Sequence, residues 1–408
     1  MDYTEIDRDR ISTDKDLLEV LDLGEQYLTG VFPKTKEEKI SKGPVQLVFS
    51  KASSLLQMKQ TYNLEEMYGD NYGYRSGLNR SMVDHLEMKM SILETKYKLS
   101  VDDNVLDIGS NDGTGLSFYS TAKKYGIDPS AGKFRKYYKK DINLAVDFFS
   151  SASIQSHFGN KKFKIITSIA MFYDLEDPIS FCNDIYDRLD QEGVWHFEQS
   201  YLPFMIETLN FDTVCQEHIE YYSLTSINYI LNKANLKIID IEFNDINGGS
   251  IAVTASKKTS SYTASKYVDY ILLKEKKEGY ANGDALLDFQ TKVDTHKNDI
   301  IELLMLLKKE GKTIVGYGAS TKGNVLLQYC GIDSKILDCI VEVNEEKFGC
   351  YTPGTKIPIV SDEYLLTNQP DYCFVLPWHF KSNILTREKE YRKLGGKFIF
   401  PMPSLIVI

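Results

Sequence analysis

The sequence predicts an α/β protein in which two Rossmann-like domains follow a small N-terminal accessory domain, and three observations predict it. Asn104-Val105-Leu106-Asp107-Ile108-Gly109-Ser110-Asn111-Asp112-Gly113 is an apolar run ending in an acid and a glycine turn, followed by Leu116, Phe118 and Tyr119. It reads as a strand, a tight loop and the start of a helix. Lys312-Thr313-Ile314-Val315-Gly316-Tyr317-Gly318-Ala319-Ser320-Thr321-Lys322-Gly323-Asn324 starts the same succession again near the C-terminus. Before both, short apolar segments (Leu17 to Leu21, Val45 to Phe49) divided by a basic run from Lys34 to Lys42 make a small unit. The expected boundaries are 1–75 for the accessory domain, 76–257 for the first α/β domain, 258–311 for a helical connector and 312–408 for the second α/β domain.

Composition narrows the function. With 408 residues and 42% apolar side chains, sizeable cores are available. No run of about eighteen apolar residues occurs, so no membrane partner is expected. The start Met1-Asp2-Tyr3-Thr4-Glu5 is acidic and polar, so neither signal peptide nor anchor is expected and a cytoplasmic location is. The six cysteines form no C-x-x-C pair and read as reduced thiols. A net charge of −10 argues against nucleic acid but leaves room for a phosphorylated small molecule in a local basic pocket. A monomer or weak dimer is expected.

Spacing selects the ligand of the first glycine loop. Gly109 and Gly113 are separated by three residues, and Phe118 stands where a Gly-x-Gly-x-x-Gly fingerprint would need its third glycine. Asp107-x-Gly109-x-x-x-Gly113 instead resembles motif I of class I methyltransferases, whose glycine loop lies under the methionyl part of S-adenosylmethionine. Tyr125-Gly126-Ile127-Asp128-Pro129 gives a second short strand, ending in an acid placed to accept from two ribose hydroxyls. The expected cofactor contacts are Asp107, Gly109, Asn111, Gly113 and Asp128, with Met171 in the loop after a later strand. Asp147 and Phe148 suit an adenine ring, or simply close a strand.

The remaining elements follow in order. Residues 1 to about 16 are charged, aperiodic and expected to be loose. Tyr68 to Ser76, rich in glycine and tyrosine, suits a ligand-touching loop as well as ordinary aromatic packing, with Tyr72 and Tyr74 its candidates. Val83, Leu86, Met90, Leu93 and Tyr97 line one face of a helix, and His85 beside it reads as a boundary or core residue. Phe163 to Ser168 and Gly193 to Glu198 read as strands, with Asp177-Pro178 opening a helix between them and His196 in the core. Ligands collect at strand carboxyl ends in such sheets, so Asp107, Asp128, Met171 to Asp174 and Glu198 should share one crevice. Asn247-Gly248-Gly249-Ser250 turns into the strand Ile251 to Thr254. The second glycine loop is not a Walker A motif, yet Ser320, Thr321, Lys322 and Asn324 at a helix start suit a polar or phosphorylated ligand. Strands Asp338 to Val343, Tyr372 to Leu376 and Lys397 to Phe400 complete the second domain, with Trp378 and His379 after a strand end.

Phe211-Asp212-Thr213-Val214-Cys215-Gln216-Glu217-His218-Ile219-Glu220-Tyr221-Tyr222-Ser223 concentrates proton-handling groups as ordinary surfaces rarely do. A lone His218 would serve equally as a structural or surface residue.

These segments together resemble the S-adenosylmethionine-dependent C-methyltransferases of deoxysugar pathways, which act on nucleotide-linked ketosugars. The match runs from about residue 68 onward, on Val105 to Gly113, Phe211-Asp212-Thr213, Glu217-His218, Tyr222-Ser223, Asn247 to Ser250, Gly316 to Ala319, Lys322-Gly323-Asn324, Tyr329 to Ile332, Pro353-Gly354-Thr355 and Leu376 to Phe380. The resemblance implies His218 as general base, Glu217 beside it, and a nucleotide sugar between the middle and C-terminal domains. Tyr72, Tyr74, Tyr222 or a backbone N–H would hold the enolate oxygen. Substrate contacts are expected from Tyr74, Asp174, Glu198, Cys215, Ser320, Lys322, Asn324 and His379.

This chain also departs from that family. Members usually carry an N-terminal zinc module with paired cysteines, whereas here no cysteine precedes Cys182 and Ser50 and Ser53 stand at the C-x-x-C spacing, so no metal is expected. Tyrosine is usual where Cys215 stands, histidine where Gln216 stands, and a histidine expected near Asp174 is missing. These changes leave an O- or N-methyltransferase on a related nucleotide sugar as the alternative.

Overall fold

The computed structural model describes residues 3–62 and 75–408, so Tyr72 and Tyr74 lie outside the described residues. The N-terminal module has strands β1 (Tyr3–Glu5), β2 (Leu17–Tyr27), β3 (Lys42–Ser50), β4 (Leu55–Met58) and β5 (Gln60–Tyr62). From residue 3 on, the expectation of a loose start is corrected: β1 pairs with β5, Tyr3 opposite Tyr62, and Asp9 closes a turn by accepting from the Ile11 and Ser12 N–H groups, both at 3.2 Å. A local pattern cannot reveal this order, because the partner strand lies across the module.

The middle of the chain supplies β6 (Asn104–Ile108), β7 (Lys123–Ile127), β8 (Ile142–Ala145), β9 (Phe163–Ile169), β10 (Leu189–Ser200), β11 (Glu220–Tyr221), β12 (Leu236–Asn244) and β13 (Ser250–Lys257). Seven of them form one sheet in the order β12-β13-β10-β9-β6-β7-β8. β13 runs antiparallel to both neighbours, while the run from β10 to β8 is parallel. This is the class I methyltransferase fold, with the strand order reversing at β6 and β9. β11 leaves this body to complete the N-terminal sheet, β11-β4-β3-β2.

The helix expected to start after the first glycine loop does not form. Only a single 3-10 turn, Leu116–Phe118, follows. Asp112 Oδ1 accepts from both Thr114 N (3.2 Å) and Thr114 Oγ1 (2.6 Å), and Ser117 Oγ donates to the Thr114 carbonyl at 2.8 Å. Such side-chain bonds compete with helical ones.

The C-terminal domain contains β14 (Ile314–Tyr317), β15 (Ile340–Glu342), β16 (Ile359–Ser361), β17 (Tyr372–Val375), β18 (Lys397–Phe400) and β19 (Ile406–Val407). Its order, β16-β15-β14-β17-β18-β19, reverses at β14 and β17.

The connector divides between the two bodies. Helix Lys266–Glu278 buries Val268 and Ile271 in the core of the seven-stranded sheet. Helix Phe289–Lys309 buries Phe289, Val293, Ile300 and Leu304 in a second core, which also takes in Val45, Leu47 and Phe49 of the N-terminal module and Val315 and Val325 of the C-terminal domain. The module is therefore packed into the whole. Asn324 helps to hold it there: its amide donates to the Thr29 carbonyl at 2.8 Å, and Gln328 accepts from Tyr27 N at 2.7 Å.

Candidate active site

Both reversal points open onto one crevice of about 1600 Å³. Single small-molecule sites occupy roughly 300–1,000 Å³, so this one has room for two ligands.

On the first wall, Gly109 turns at φ +70°, and a Cβ there would stand 3.3 Å from Met171 Cγ. Asp128, at the end of β7, accepts from Asn111 N at 2.8 Å and from Ser130 N and Oγ, each at 2.6 Å. Asp107 accepts from Thr167 Oγ1 at 2.6 Å. Burial, opposed by that hydrogen bond, raises its pKa to about 7. Asp107, Gly109, Asn111, Asp128, Phe148 and Met171 all line the crevice. Gly113 (φ +76°) shapes the loop from behind, where a Cβ would meet the Tyr138 ring at 2.8 Å. A bare glycine turn with a carboxylate at the neighbouring strand end fits the methionyl and ribose parts of S-adenosylmethionine. Asp147 is corrected: it accepts from Ser153 Oγ at 2.6 Å and lies 3.4 Å from His157 Nε2, bracing the helix that follows, while its neighbour Phe148 faces the crevice.

The segment from Phe211 to Ser223 brings Thr213, Glu217 and His218 to the crevice between the two reversal points. His218 Nδ1 lies 2.7 Å from the Thr213 carbonyl. A carbonyl only accepts, so Nδ1 carries the hydrogen, and in the neutral ring the lone pair is on Nε2. Tyr173 packs edge-on against the imidazole at 4.5 Å and its carbonyl accepts from Ile219 N at 3.0 Å. The loop Ala170 to Asp174 thus spans from Gly109 to His218. Glu217 lines the same crevice, where burial raises its pKa against the pull of His218. Cys215 lies behind them, only 2% exposed. Asp174 is in the lining as well.

Three further expectations are corrected. Tyr222 is a core residue, stacked on Phe172 at 5.1 Å with its hydroxyl bonded to Glu220. Glu198 is buried behind the crevice wall and holds His85, whose Nε2 lies 2.6 Å from its Oε1. Lys89 Nζ and Asn244 Nδ2 attend the other oxygen at 3.5 and 2.9 Å. Burial works to raise the pKa of Glu198, but His85 and Lys89 hold it low. His85, read from sequence as a boundary or core residue, is the member of this pair that lines the crevice. Asn324 is turned away toward Thr29.

The second wall is the C-terminal glycine loop. Ser320 caps the helix Thr321–Cys330, accepting from Gly323 N at 3.0 Å. Lys322 donates to the Asn247 carbonyl at 2.8 Å, and burial lowers its pKa against the charge of Asp212. His379 is driven to a pKa of about 3 by burial and by Lys322, so it is neutral near pH 7. Sequence reading did not single out Tyr138, whose hydroxyl donates to the Asn111 carbonyl at 2.9 Å, or Glu342, which accepts from Ala319 N at 2.7 Å. The position of Glu342 at the end of the strand after a glycine loop was the available signal.

Fold and site define an S-adenosylmethionine-dependent methyltransferase. Three family models match in succession: "Putative zinc binding domain" over residues 10–68, "Methyltransferase domain" over 80–241 and "C-methyltransferase C-terminal domain" over 245–403. The chain is 26% identical to the C-methyltransferase NovU of Streptomyces niveus over 408 residues, covering 99% of this chain and 97% of that protein. Among solved structures it is similar to an S-adenosylmethionine-dependent methyltransferase from Clostridium acetobutylicum (15% identity, 42% of this chain and 91% of that one, TM-score 0.32). Another is the plantazolicin methyltransferase BpumL in complex with S-adenosylhomocysteine (16%, 42% and 82%, TM-score 0.33).

The zinc implied by the first model does not fit the residues present. Residues 10–68 contain neither cysteine nor histidine. Ser50 Oγ is buried with no partner among the described residues, and Ser53 Oγ accepts from Leu55 N at 3.3 Å. Neutral hydroxyls do not replace thiolate or imidazole donors. Among the described residues no helix is long and apolar enough to cross a membrane.

Proposed function

We propose that the protein methylates a carbon beside the ketone of a nucleotide-linked deoxysugar, with His218 as the general base. The observation that carries this reading is the position of His218, its Nε2 lone pair fixed by the Thr213 carbonyl, on the crevice shared by both reversal points. The C-terminal family match and the likeness to NovU support transfer to carbon.

A proton beside a ketone is weakly acidic, so its removal needs a base and donors for the developing oxyanion. His218 takes the proton on Nε2, and the resulting imidazolium is held by the Thr213 carbonyl on one side and the Glu217 carboxylate nearby. S-adenosylmethionine, held by Gly109, Asn111 and Asp128, supplies an electrophilic methyl group when bound. Ser320, Lys322 and neutral His379 hold the nucleotide sugar from the opposite wall. The crevice aligns the deprotonated carbon with its partner, which supplies much of the rate.

Mass spectrometry of products from nucleotide-linked 4-ketosugars, deuterated beside the ketone, tests this. One methyl gained with deuterium lost, both abolished in His218→Asn, is expected. Methyl gain with deuterium retained would overturn it and select oxygen or nitrogen as the acceptor.

A further inference from the structure

Cys215, Glu217 and His218 place one sulfur, one oxygen and one nitrogen donor atom within 4.8 Å of one another. In tetrahedral zinc sites, bonds of about 2.0–2.3 Å put the ligand atoms about 3.3–3.5 Å apart, so small side-chain rotations close this set around an ion. Glu217 and His218 line the crevice with Cys215 behind them, so a three-donor set here leaves a fourth position open on the crevice side.

Two features of the surroundings favour an ion here. His218 donates its other ring N–H to a backbone carbonyl, the arrangement that fixes the tautomer of metal-ligating histidines. Tyr221 Oη donates to the His218 carbonyl at 2.9 Å and holds the same turn from below. Secondly, Gly30 of the N-terminal module makes room for the carboxylate: a Cβ there would lie 2.9 Å from Glu217 Oε1. The Glu217 carboxylate is thus accommodated between the Gly30 backbone and His218, with the Cys215 sulfur in the same cluster.

We propose that Cys215 Sγ, Glu217 and His218 Nε2 form an inhibitory site for a thiophilic divalent metal ion of the zinc class. Binding exchanges the thiol proton, released to solvent, for a sulfur–metal bond. It also occupies the His218 lone pair, so the metal-bound protein cannot accept the substrate proton. This consequence rests on the reading of His218 as the base; the metal site itself does not.

Cobalt(II), added to chelator-treated full-length protein under a thiol-free reductant, is the probe. One ion per chain, with a thiolate-to-cobalt charge-transfer band that zinc displaces, is expected. The band should disappear in Cys215→Ser and survive in Cys330→Ser, with circular dichroism checking that each variant is folded. Glu217→Gln should weaken cobalt binding at least tenfold and covers the case in which Cys215→Ser does not fold. No charge-transfer band in the wild type, or a band that persists in Cys215→Ser, would overturn the site. Deuterium exchange of the ketosugar without added metal tests the base separately: its absence would remove His218 as base while leaving the metal result to stand. Exchange that saturating zinc fails to quench would overturn the inhibition.

Discussion

The indole N–H of Trp378 donates to the Asp212 carboxylate at 2.8 Å, fastening the loop after β17 to the turn that opens the His218 segment. Burial raises the pKa of Asp212, while Lys322 and this hydrogen bond oppose it. Trp378→Phe leaves a buried carboxylate short of a donor. A loss of about 1–3 kcal/mol is expected in urea unfolding, because an abandoned buried acceptor bears its desolvation penalty. KM for the nucleotide sugar should rise while affinity for S-adenosylhomocysteine is kept; an unchanged KM would show that the latch has no part in substrate binding.

Gly109 is the residue whose conformation the cofactor loop depends on, at φ +70° with Met171 3.3 Å from its absent Cβ. An alanine held in the left-handed region costs about 1–2 kcal/mol. The free loop can relax from that strain and the bound loop cannot. Calorimetry on Gly109→Ala should therefore show S-adenosylhomocysteine affinity reduced about 5–30-fold.

Lys322 stands at the seam between the domains, donating to the Asn247 carbonyl at 2.8 Å from the second glycine loop. Lys322→Met keeps the apolar stem and removes the charge. KM for the nucleotide sugar should rise about tenfold or more, equivalent to ~1.4 kcal/mol, with cofactor affinity unmoved. If cofactor affinity falls instead, Lys322 serves the other ligand.

Glu220 is buried in β11, where desolvation outweighs the Tyr222 hydrogen bond and the Arg10 charge and lifts its pKa from 4.5 to about 8. A carboxyl with a raised folded pKa binds its proton more tightly in the native state. Its contribution is therefore complete below about pH 4.5 and is lost as pH rises through about 8. Glu220→Gln removes that dependence. Urea unfolding at about pH 5.5 and pH 7.5 should show the wild type losing stability relative to the variant at the higher pH, by up to about 1.4 kcal/mol per unit. A parallel shift at both pH values would mean that Glu220 is ionised throughout.

Both glycine loops, Asp128, Ser320 and the strands that carry them were legible along the chain, because apolar runs ending in Gly and Asp are local signals that need no distant partner. The concentration of donors from Cys215 to His218 was legible for the same reason. Direction was not. Glu198, Asn324 and Tyr222 have the residue types of a site, yet each is turned to a partner that only packing supplies: His85, Thr29 and Phe172. His85 and Glu198 are 113 positions apart, and no periodicity couples such residues. The connector shows the same limit, since its amphipathic faces announced burial without saying against which sheet. Sequence by itself determined which chemical groups the protein carries and the loops that present them, since backbone conformation and periodicity act over a few residues. Only tertiary structure decided which of those groups face the crevice, because burial and long-range hydrogen bonding choose between equally suited side chains.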